Sequence, residues 1–393
     1  MSSYQYRYVS FPNGVCTVFL NLQRIYKKFC SPSICLTTIR KISVIQYRNY
    51  STGNFEFSQP VTCITGPNGS GKTNLLDAVY YLCYTKSYFT AYQQNVVQTG
   101  LDGFRVEGVF EKDGKTETVS CKWKQGKKEL ICDGVEYDRV AEYIGKYAAV
   151  MIAPDDLELI NNGGEERRKW VDSILGQTDK VYLESLMQYQ RVLQQRNAWL
   201  KQQFQNPSTD SIALDFYNDQ LAMHGEYIHQ KRKLFLVEFL PLLDAYYHQL
   251  CGGREEIKMI YESDLLQKPM LQWLKESLQN DLRLQRTTRG IHKDDWAYVL
   301  ENALIRQFGS QGQKKSYLFA LKLAQYAYLS KVLGHLPILL LDDIFEKLDQ
   351  NRIEALLRII RGEGFGQVLL TDTHPERVRA AFGAEAAIHF VQL

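Results

Sequence analysis

The sequence contains no run of eighteen or more apolar residues, so nothing in it reads as a membrane-spanning helix. It also has no Cys-x-x-Cys pair. Its cysteines (Cys16, Cys30, Cys35, Cys63, Cys83, Cys121, Cys132 and Cys251) stand singly, which points to reduced thiols and a cytosolic location. Residues 1–36 contain no Asp or Glu, although Arg7, Arg24, Lys27 and Lys28 are there, and they carry little hydrophobic periodicity. They lack the clean apolar run and small-residue cleavage site of a secretory signal. A targeting segment or a basic arm are the functional readings; a non-native start, expected to be disordered, is preferred. Sustained a/d heptads are missing, which argues against a long coiled coil. No recognition-helix or zinc-finger pattern is present, so base-specific reading is not expected. The net charge is only +3, so contact with nucleic acid has to come from local basic patches.

What is present begins with a phosphate loop. Gly66-Pro67-Asn68-Gly69-Ser70-Gly71-Lys72-Thr73 is an unbroken G-x-x-x-x-G-K-[ST]. The β-branched stretch Val61–Thr65 before it reads as a strand, and Asn74–Leu82 after it reads as an amphipathic helix. A glycine-rich turn matching by chance would lack those flanks. The glycines let backbone N–H groups turn inward around phosphate oxygens, and the helix N-terminus adds its positive dipole end. Lys72 is expected to reach the β- and γ-phosphates of ATP, and the Thr73 hydroxyl to ligate Mg²⁺.

At 393 residues, with 45% hydrophobic and 23% charged residues, the chain is long enough for two or three globular domains. Residues 37–155 read as strand-rich around the phosphate loop. Ile39–Tyr47 and Phe55–Phe57 flank an expected turn, Tyr50–Asn54. Two hairpins follow, turning at Asp113-Gly114 and Asp133-Gly134. Residues 156–289 change character, with helical periodicity over Arg167–Leu175, Val181–Gln203 and Ile212–Tyr247, interrupted at Asn206–Asp210. Residues 290–393 return to alternating helices and apolar strands, which predicts a sheet covered on both faces. The expected fold class is α/β: a nucleotide-binding domain with a mixed sheet, built from 37–155 and 290–393 and split by a mainly helical domain.

Two further motifs fit that domain. Ile338-Leu339-Leu340-Leu341-Asp342-Asp343 is an apolar strand ending in carboxylates. Asp342 is placed to hold Mg²⁺ with Thr73, and Asp343 to polarise the attacking water. By itself the pair would read as a solvated acidic turn. Leu348-Asp349 follows, where a dimer seam would run. Gly309-Ser310-Gln311-Gly312-Gln313 opens the helix Gln313–Leu333 and reads either as a second phosphate cradle or as a plain N-cap by Ser310. One nucleotide rarely needs two cradles on one subunit, so Ser310, Gly312 and Gln313 are expected to cap ATP held by a second copy.

This order of motifs is that of ABC-type ATPases, and the chain most resembles the RecF family, bacterial recombination-repair ATPases related to SMC proteins. The resemblance runs from about Thr38 to about Arg379. It rests on Tyr47-Arg48-Asn49-Tyr50, Gly66–Asn74, Ala153-Pro154-Asp155-Asp156-Leu157, Gly164–Asp172, Gln195-Arg196-Asn197, Gly309–Ser316, and Leu340-Asp342-Asp343 with Leu348-Asp349. It implies an ATP-dependent homodimer, slow DNA-stimulated ATP hydrolysis, and Arg48 and Asn49 close to the nucleotide. It also implies sequence-independent DNA binding at single-strand/double-strand junctions and recombinase loading with RecO and RecR. The implied location is the cytoplasm, at the nucleoid and not a membrane. The chain departs from the family in its N-terminal 36 residues and at Lys293, where Gly-Pro-His-Arg-Asp-Asp is usual and Gly290-Ile291-His292-Lys293-Asp294-Asp295 stands. His374 lies two positions late for a γ-phosphate sensor, and the lid loop near Met151–Asp156 offers no Gln.

Two basic patches are candidates for DNA contact: Lys112, Lys115, Lys122, Lys124, Lys127 and Lys128 beside Trp123, and Arg283, Arg286, Arg289 and Lys293. Edge-strand protection and a solvated helix face are the competing readings. A transporter ATPase and a long-armed SMC-like structural protein are competing functions. The first would need a partner permease and a compact helical subdomain, the second longer arms and a zinc-hook cysteine pair. DNA binding separates the repair ATPase from the first, and particle shape separates it from the second.

Overall fold

The computed structural model describes residues 7–11, 15–19, 35–206, 212–253, 255–347, 350–362, 364–383 and 387–393. The chain forms two compact units, one from Lys27–Leu157, Tyr246–Gly253 and Lys315–Leu393, the other from Met1–Tyr26, Glu158–Ala245 and Arg254–Lys314.

The first unit holds a parallel sheet in the order Ala149–Ile152, Ile338–Leu341, Val368–Asp372, Val61–Thr65, Ile388–Gln392. The first four of these strands are apolar runs and almost wholly buried, as strands covered on both faces must be. A second sheet runs His335–Leu336, Cys35–Tyr47, Gly103–Lys112, Lys115–Lys124, Lys127–Cys132, Val135–Glu136, with Tyr50–Glu56 also paired to Cys35–Tyr47. It is antiparallel except where His335–Leu336 joins Cys35-Leu36. The helix Lys72–Tyr84 lies against strands of both sheets and is buried from Leu75 to Tyr84. An all-round apolar helix has no other stable place. Asp113-Gly114 (φ 54° and 71°) and Asp133-Gly134 (φ 51° and 79°) make the expected tight turns, and Gln125-Gly126 makes a third.

One expected turn is displaced. Tyr50–Asn54 is strand, and the chain reverses at Arg48-Asn49 instead, with Tyr47 opposite Tyr50 and Arg48 at φ 54°. Gly53 serves packing, not reversal: a Cβ there would lie 2.8 Å from the Phe55 ring and 3.1 Å from Val44.

The second unit contains the helices Gly164–Thr178, Lys180–Gln205 and most of Ile212–Cys251, and it contains a sheet the periodicity did not reveal. Ile257–Glu262 pairs antiparallel with Asp295–Leu300, from Ile257 opposite Leu300 to Glu262 opposite Asp295. Residues 290–314, expected in the ATPase domain, group here because this pairing ties them to 257–262. Within residues 1–36, expected to be disordered, Arg7–Phe11 and Val15–Phe19 form an antiparallel pair, and Val15 and Cys16 pair with Glu262 and Tyr261. Both segments are rich in β-branched and aromatic residues, which suits a sheet edge. The rest of 1–34, residues 207–211 of the expected break and Leu348-Asp349 lie outside the described residues.

Buried ion pairs hold the helices of this unit together. Arg196 lies 2.8 Å from Asp281, both fully buried, and Arg232 bridges Asp172 at 2.8 Å and Asp294 at 2.7 Å.

Candidate nucleotide site

The phosphate loop is shaped by its glycines and braced by the Arg48-Asn49 turn. Gly71 takes φ 109°, and a Cβ on it would fall 2.6–2.8 Å from the Asn49 amide and the Tyr50 hydroxyl. Only glycine satisfies both demands. Asn49 Nδ2 donates to Ser70 O at 3.1 Å, Asn74 Nδ2 donates to Asn49 Oδ1 at 2.8 Å, and the Tyr50 hydroxyl donates to Gly71 O at 3.0 Å. The helix starts at once, with Leu75 N donating to Gly71 O at 3.0 Å. Its free N–H groups therefore face the loop. The Lys72 side chain is buried and curls over the loop, donating to Gly66 O at 2.9 Å and Pro67 O at 3.1 Å.

The carboxylate strand ends beside Thr73. The Thr73 hydroxyl lies 2.9 Å from Asp342 Oδ1 and 3.0 Å from Oδ2. Thr371, at the end of the neighbouring strand, donates to Asp342 Oδ1 at 2.8 Å and accepts from Asp343 N at 2.9 Å. Burial pushes the Asp342 carboxyl up to about 6; the Thr371 and Thr73 hydroxyls oppose the shift and Asp343 adds to it. A buried carboxylate beside a threonine hydroxyl, two hard oxygen donors, suits Mg²⁺. Asp343 holds φ 44°, a left-handed backbone uncommon outside glycine and best tolerated by Asn and Asp.

Arg48, expected close to the nucleotide, is engaged by protein groups in the nucleotide-free chain. Its guanidinium donates to Asp77 Oδ2 at 3.2 Å, Ser87 Oγ at 2.9 Å and Asn95 O at 3.3 Å, on the helix and the segment behind the loop. Asp77, fully buried, also accepts from Tyr47 at 2.9 Å and from Tyr88 N at 2.7 Å. The lid loop offers Asp156 instead of Gln: its carboxylate lies 3.0 Å from the buried Lys322 ammonium, accepts from the Tyr88 hydroxyl, and caps Ala153 N at 2.7 Å. His374 is mostly exposed and turns to Thr373 at 2.8 Å and Arg377 at 3.0 Å.

Thus Arg48, Asn49, Gly66–Asn74, Asp342 and Asp343 share one unit, while Ser310, Gly312 and Gln313 belong to the other. There Ser310 and Gln313 form a reciprocal capping box: Gln313 N donates to Ser310 Oγ at 3.2 Å, and Ser310 N donates to Gln313 Oε1 at 2.8 Å. Gln313 Nε2 donates to Glu255 at 2.6 Å, and Ser310 remains exposed at the helix N-terminus.

The lysine hairpin is divided by its neighbours. Trp123 is buried and stacks on Phe104, Lys122 pairs with Glu129 at 3.1 Å, and Lys128 is half-buried with its ammonium lowered by burial. Lys115, Lys124 and Lys127 remain exposed.

Sequence reasoning missed Thr371, Asp77 and the Lys322–Asp156–Tyr88 cluster. Asp77 alone had a local signal, a single carboxylate in an otherwise apolar helix.

The family model described as RecF/RecN/SMC N terminal domain matches residues 38–389. The chain is 43% identical over 343 residues to the DNA replication and repair protein RecF of Flavobacterium johnsoniae, covering 87% of this chain and 96% of the relative. It is 40% identical over 337 residues to the protein of that name from Parabacteroides distasonis, covering 86% and 91%. The structure is similar to that of the recombination mediator protein RecF-ATP in the RecFOR pathway, with TM-score 0.80 and 28% identity over 86% of this chain and 92% of that one. An Smc head domain bound to ScpA from Pyrococcus furiosus shares the fold alone, with TM-score 0.51 and 16% identity over 90% and 93%.

Proposed function

The chain belongs to the RecF family, and from that premise we propose that it is an ATP-driven DNA clamp of recombinational repair. The observation that carries the reading is the Thr73–Asp342 contact, 2.9 Å long, at the mouth of a braced phosphate loop. The loop N–H groups and Lys72 hold the phosphates of ATP. Thr73 and Asp342 would hold Mg²⁺, whose charge would offset that of the phosphates. Asp343 polarises the attacking water.

A second copy supplies Ser310, Gly312 and Gln313 to cap the γ-phosphate, so ATP closes a homodimer and hydrolysis, slow and stimulated by DNA, reopens it. The closed dimer grips DNA without regard to sequence, at gaps and single-strand/double-strand junctions. With RecO and RecR it helps place the recombinase on single strands coated by SSB. A DNA-bound ATPase of this kind works in the cytoplasm, at the nucleoid. Among the described residues no helix is long and apolar enough to cross a membrane.

The test is binding to gapped duplex DNA with ATP, with ADP and without nucleotide, each read beside sedimentation. ATP-dependent binding together with ATP-dependent dimerisation is expected. Equal binding in all three conditions rejects the clamp.

A further inference from the structure

The basic residues at 283–293 do not form one stripe. Arg289 is neutralised by Asp264 at 2.8 Å and rests 4.7 Å from the centre of the Trp273 ring. Arg283 donates to Asn280 at 2.9 Å. Arg286 and Lys293 have no carboxylate within ion-pair distance among the described residues, and Arg168 of the helix Gly164–Thr178 joins them.

Backbone anchors bring the three together. Arg168 Nη1 donates to Asp294 O at 2.6 Å, directly after Lys293. Lys293 sits in a 3-10 turn closed by Lys293 N on Gly290 O at 2.8 Å. His292 Nε2 lies 3.1 Å from Thr287 O, which joins that turn to the segment carrying Arg286. The segment is itself pinned, with Arg286 N on Asp281 O at 3.1 Å and Thr287 N on Asn197 Oδ1 at 2.7 Å.

The acidic residues that follow Lys293 are committed elsewhere. Asp294 pairs with Arg232 at 2.7 Å, and Asp295 takes Arg167 through two bonds of 2.7 and 2.9 Å. Partial burial, with Arg286 and Arg168 nearby, holds the Lys293 ammonium below its ordinary range. The exposed Glu165, one turn before Arg168, offsets part of the Arg168 charge. Like charges gathered on rigid backbone raise the energy of the fold, and an anion relieves it.

We propose that Arg168, Arg286 and Lys293 form a preorganised phosphate-binding site on the helical unit, which takes the backbone of duplex DNA. Two guanidiniums and an ammonium match phosphate oxygens and read no base. The phosphate loop, in the other unit, already provides for the nucleotide. The proposal rests on the DNA-binding reading above.

The experiment uses the full chain with ATP and a fluorescent blunt duplex, titrated at several salt concentrations. Arg286 is exposed, so Arg286→Glu should fold normally; Lys293→Met is the second variant, and Arg283→Glu is the control. Arg286→Glu is expected to weaken DNA binding about 10-fold and to lower the slope of log affinity against log salt by about one. Lys293→Met should act in the same direction, and both variants should keep the parent's ATP affinity. Arg283→Glu should change the salt slope less than either. If the parent binds DNA and both variants bind it with the same slope, the site is wrong. If the parent binds no DNA under any nucleotide condition, the DNA-clamp reading itself fails and takes this inference with it.

Discussion

The Thr73 hydroxyl meets both carboxylate oxygens of Asp342, at 2.9 and 3.0 Å, across a separation of 269 residues. The contact ties the first turn of the phosphate-loop helix to the end of the carboxylate strand. Burial is the chief reason that Asp342 titrates near 6, above the ordinary 3.8. A folded-state pKa raised in this way means that the ionised carboxylate strains the free protein. Its stability contribution is complete below 3.8 and lost as pH rises through about 6. Asp342→Asn should therefore stabilise the nucleotide-free protein at neutral pH by up to about 3 kcal/mol, with the gain vanishing near pH 4. The same change should abolish Mg²⁺-dependent hydrolysis. In the parent, Mg²⁺-dependent ATP binding should weaken as pH falls below about 6, because protons compete for the same oxygens. Melting curves across pH, read beside ATP titrations, check both statements.

Lys72→Ala should abolish tight ATP binding, and with it dimerisation and DNA retention. The ammonium sits inside the loop on Gly66 O and Pro67 O, where it would meet the phosphates. A titration with ATP settles the matter: parental affinity in this variant would end the nucleotide-site reading.

Asp343→Asn should keep ATP binding and the fold while slowing hydrolysis by about 10²–10⁴-fold, the range for loss of a general base. Asn tolerates the left-handed backbone that Asp343 adopts at φ 44°, so little stability is lost. A group acting only in the transition state lowers turnover without changing ground-state binding. Trapped dimers in sedimentation should accompany the slow turnover, and unchanged turnover rejects Asp343 as the base.

Lys322→Met should destabilise the protein by about 3–5 kcal/mol, because it leaves the Asp156 carboxylate without its buried cation. The pair is 3.0 Å apart, and its side chains are only 4% and 9% exposed. Adding Asp156→Leu should recover much of the loss, since an apolar pair of similar volume carries no unpaired charge. Chemical denaturation of the single and double variants gives the comparison.

The phosphate loop and the Asp342-Asp343 strand were legible because each is a contiguous motif with its flanking elements in place. Thr371 was not, because its role depends on parallel register, Leu341 opposite Leu370, which no local pattern encodes. The Arg48-Asn49 turn was hidden by Gly53-Asn54, which carries turn chemistry but sits in a strand under Phe55. The strand Ile257–Glu262 was lost among helices because its partner lies beyond two short helices, at Asp295–Leu300. The long helices were placed to within a few residues, since a 3.6-residue period over many turns is a strong local signal, whereas the short helices Met270–Glu276, Leu278–Leu284 and Pro375–Phe382 carry too few turns to show one.

Ser310→Arg should leave the single chain able to bind ATP but unable to pair. Lys72, Thr73 and Asp342 sit in the other unit of the chain and are untouched by the change. The substitution also removes the Ser310 half of the capping box, whose Oγ takes Gln313 N at 3.2 Å, so about 1 kcal/mol of helix stability goes with it. Ser310→Asp separates the two effects. Asp caps a helix as well as Ser does, but it would set a negative charge against a γ-phosphate. Both variants should lose ATP-dependent dimerisation, and only Ser310→Arg should lose stability. Mixing Ser310→Arg with Lys72→Ala is the sharper experiment. Each variant alone is expected to be inactive. A mixed dimer assembles one composite site, from the intact phosphate loop of the Ser310→Arg chain and the intact Ser310 of the Lys72→Ala chain. Hydrolysis that appears only on mixing supports sites built across two copies. Normal dimerisation and turnover by Ser310→Arg alone would mean that the two motifs never meet, and the ABC-type dimer would have to be abandoned.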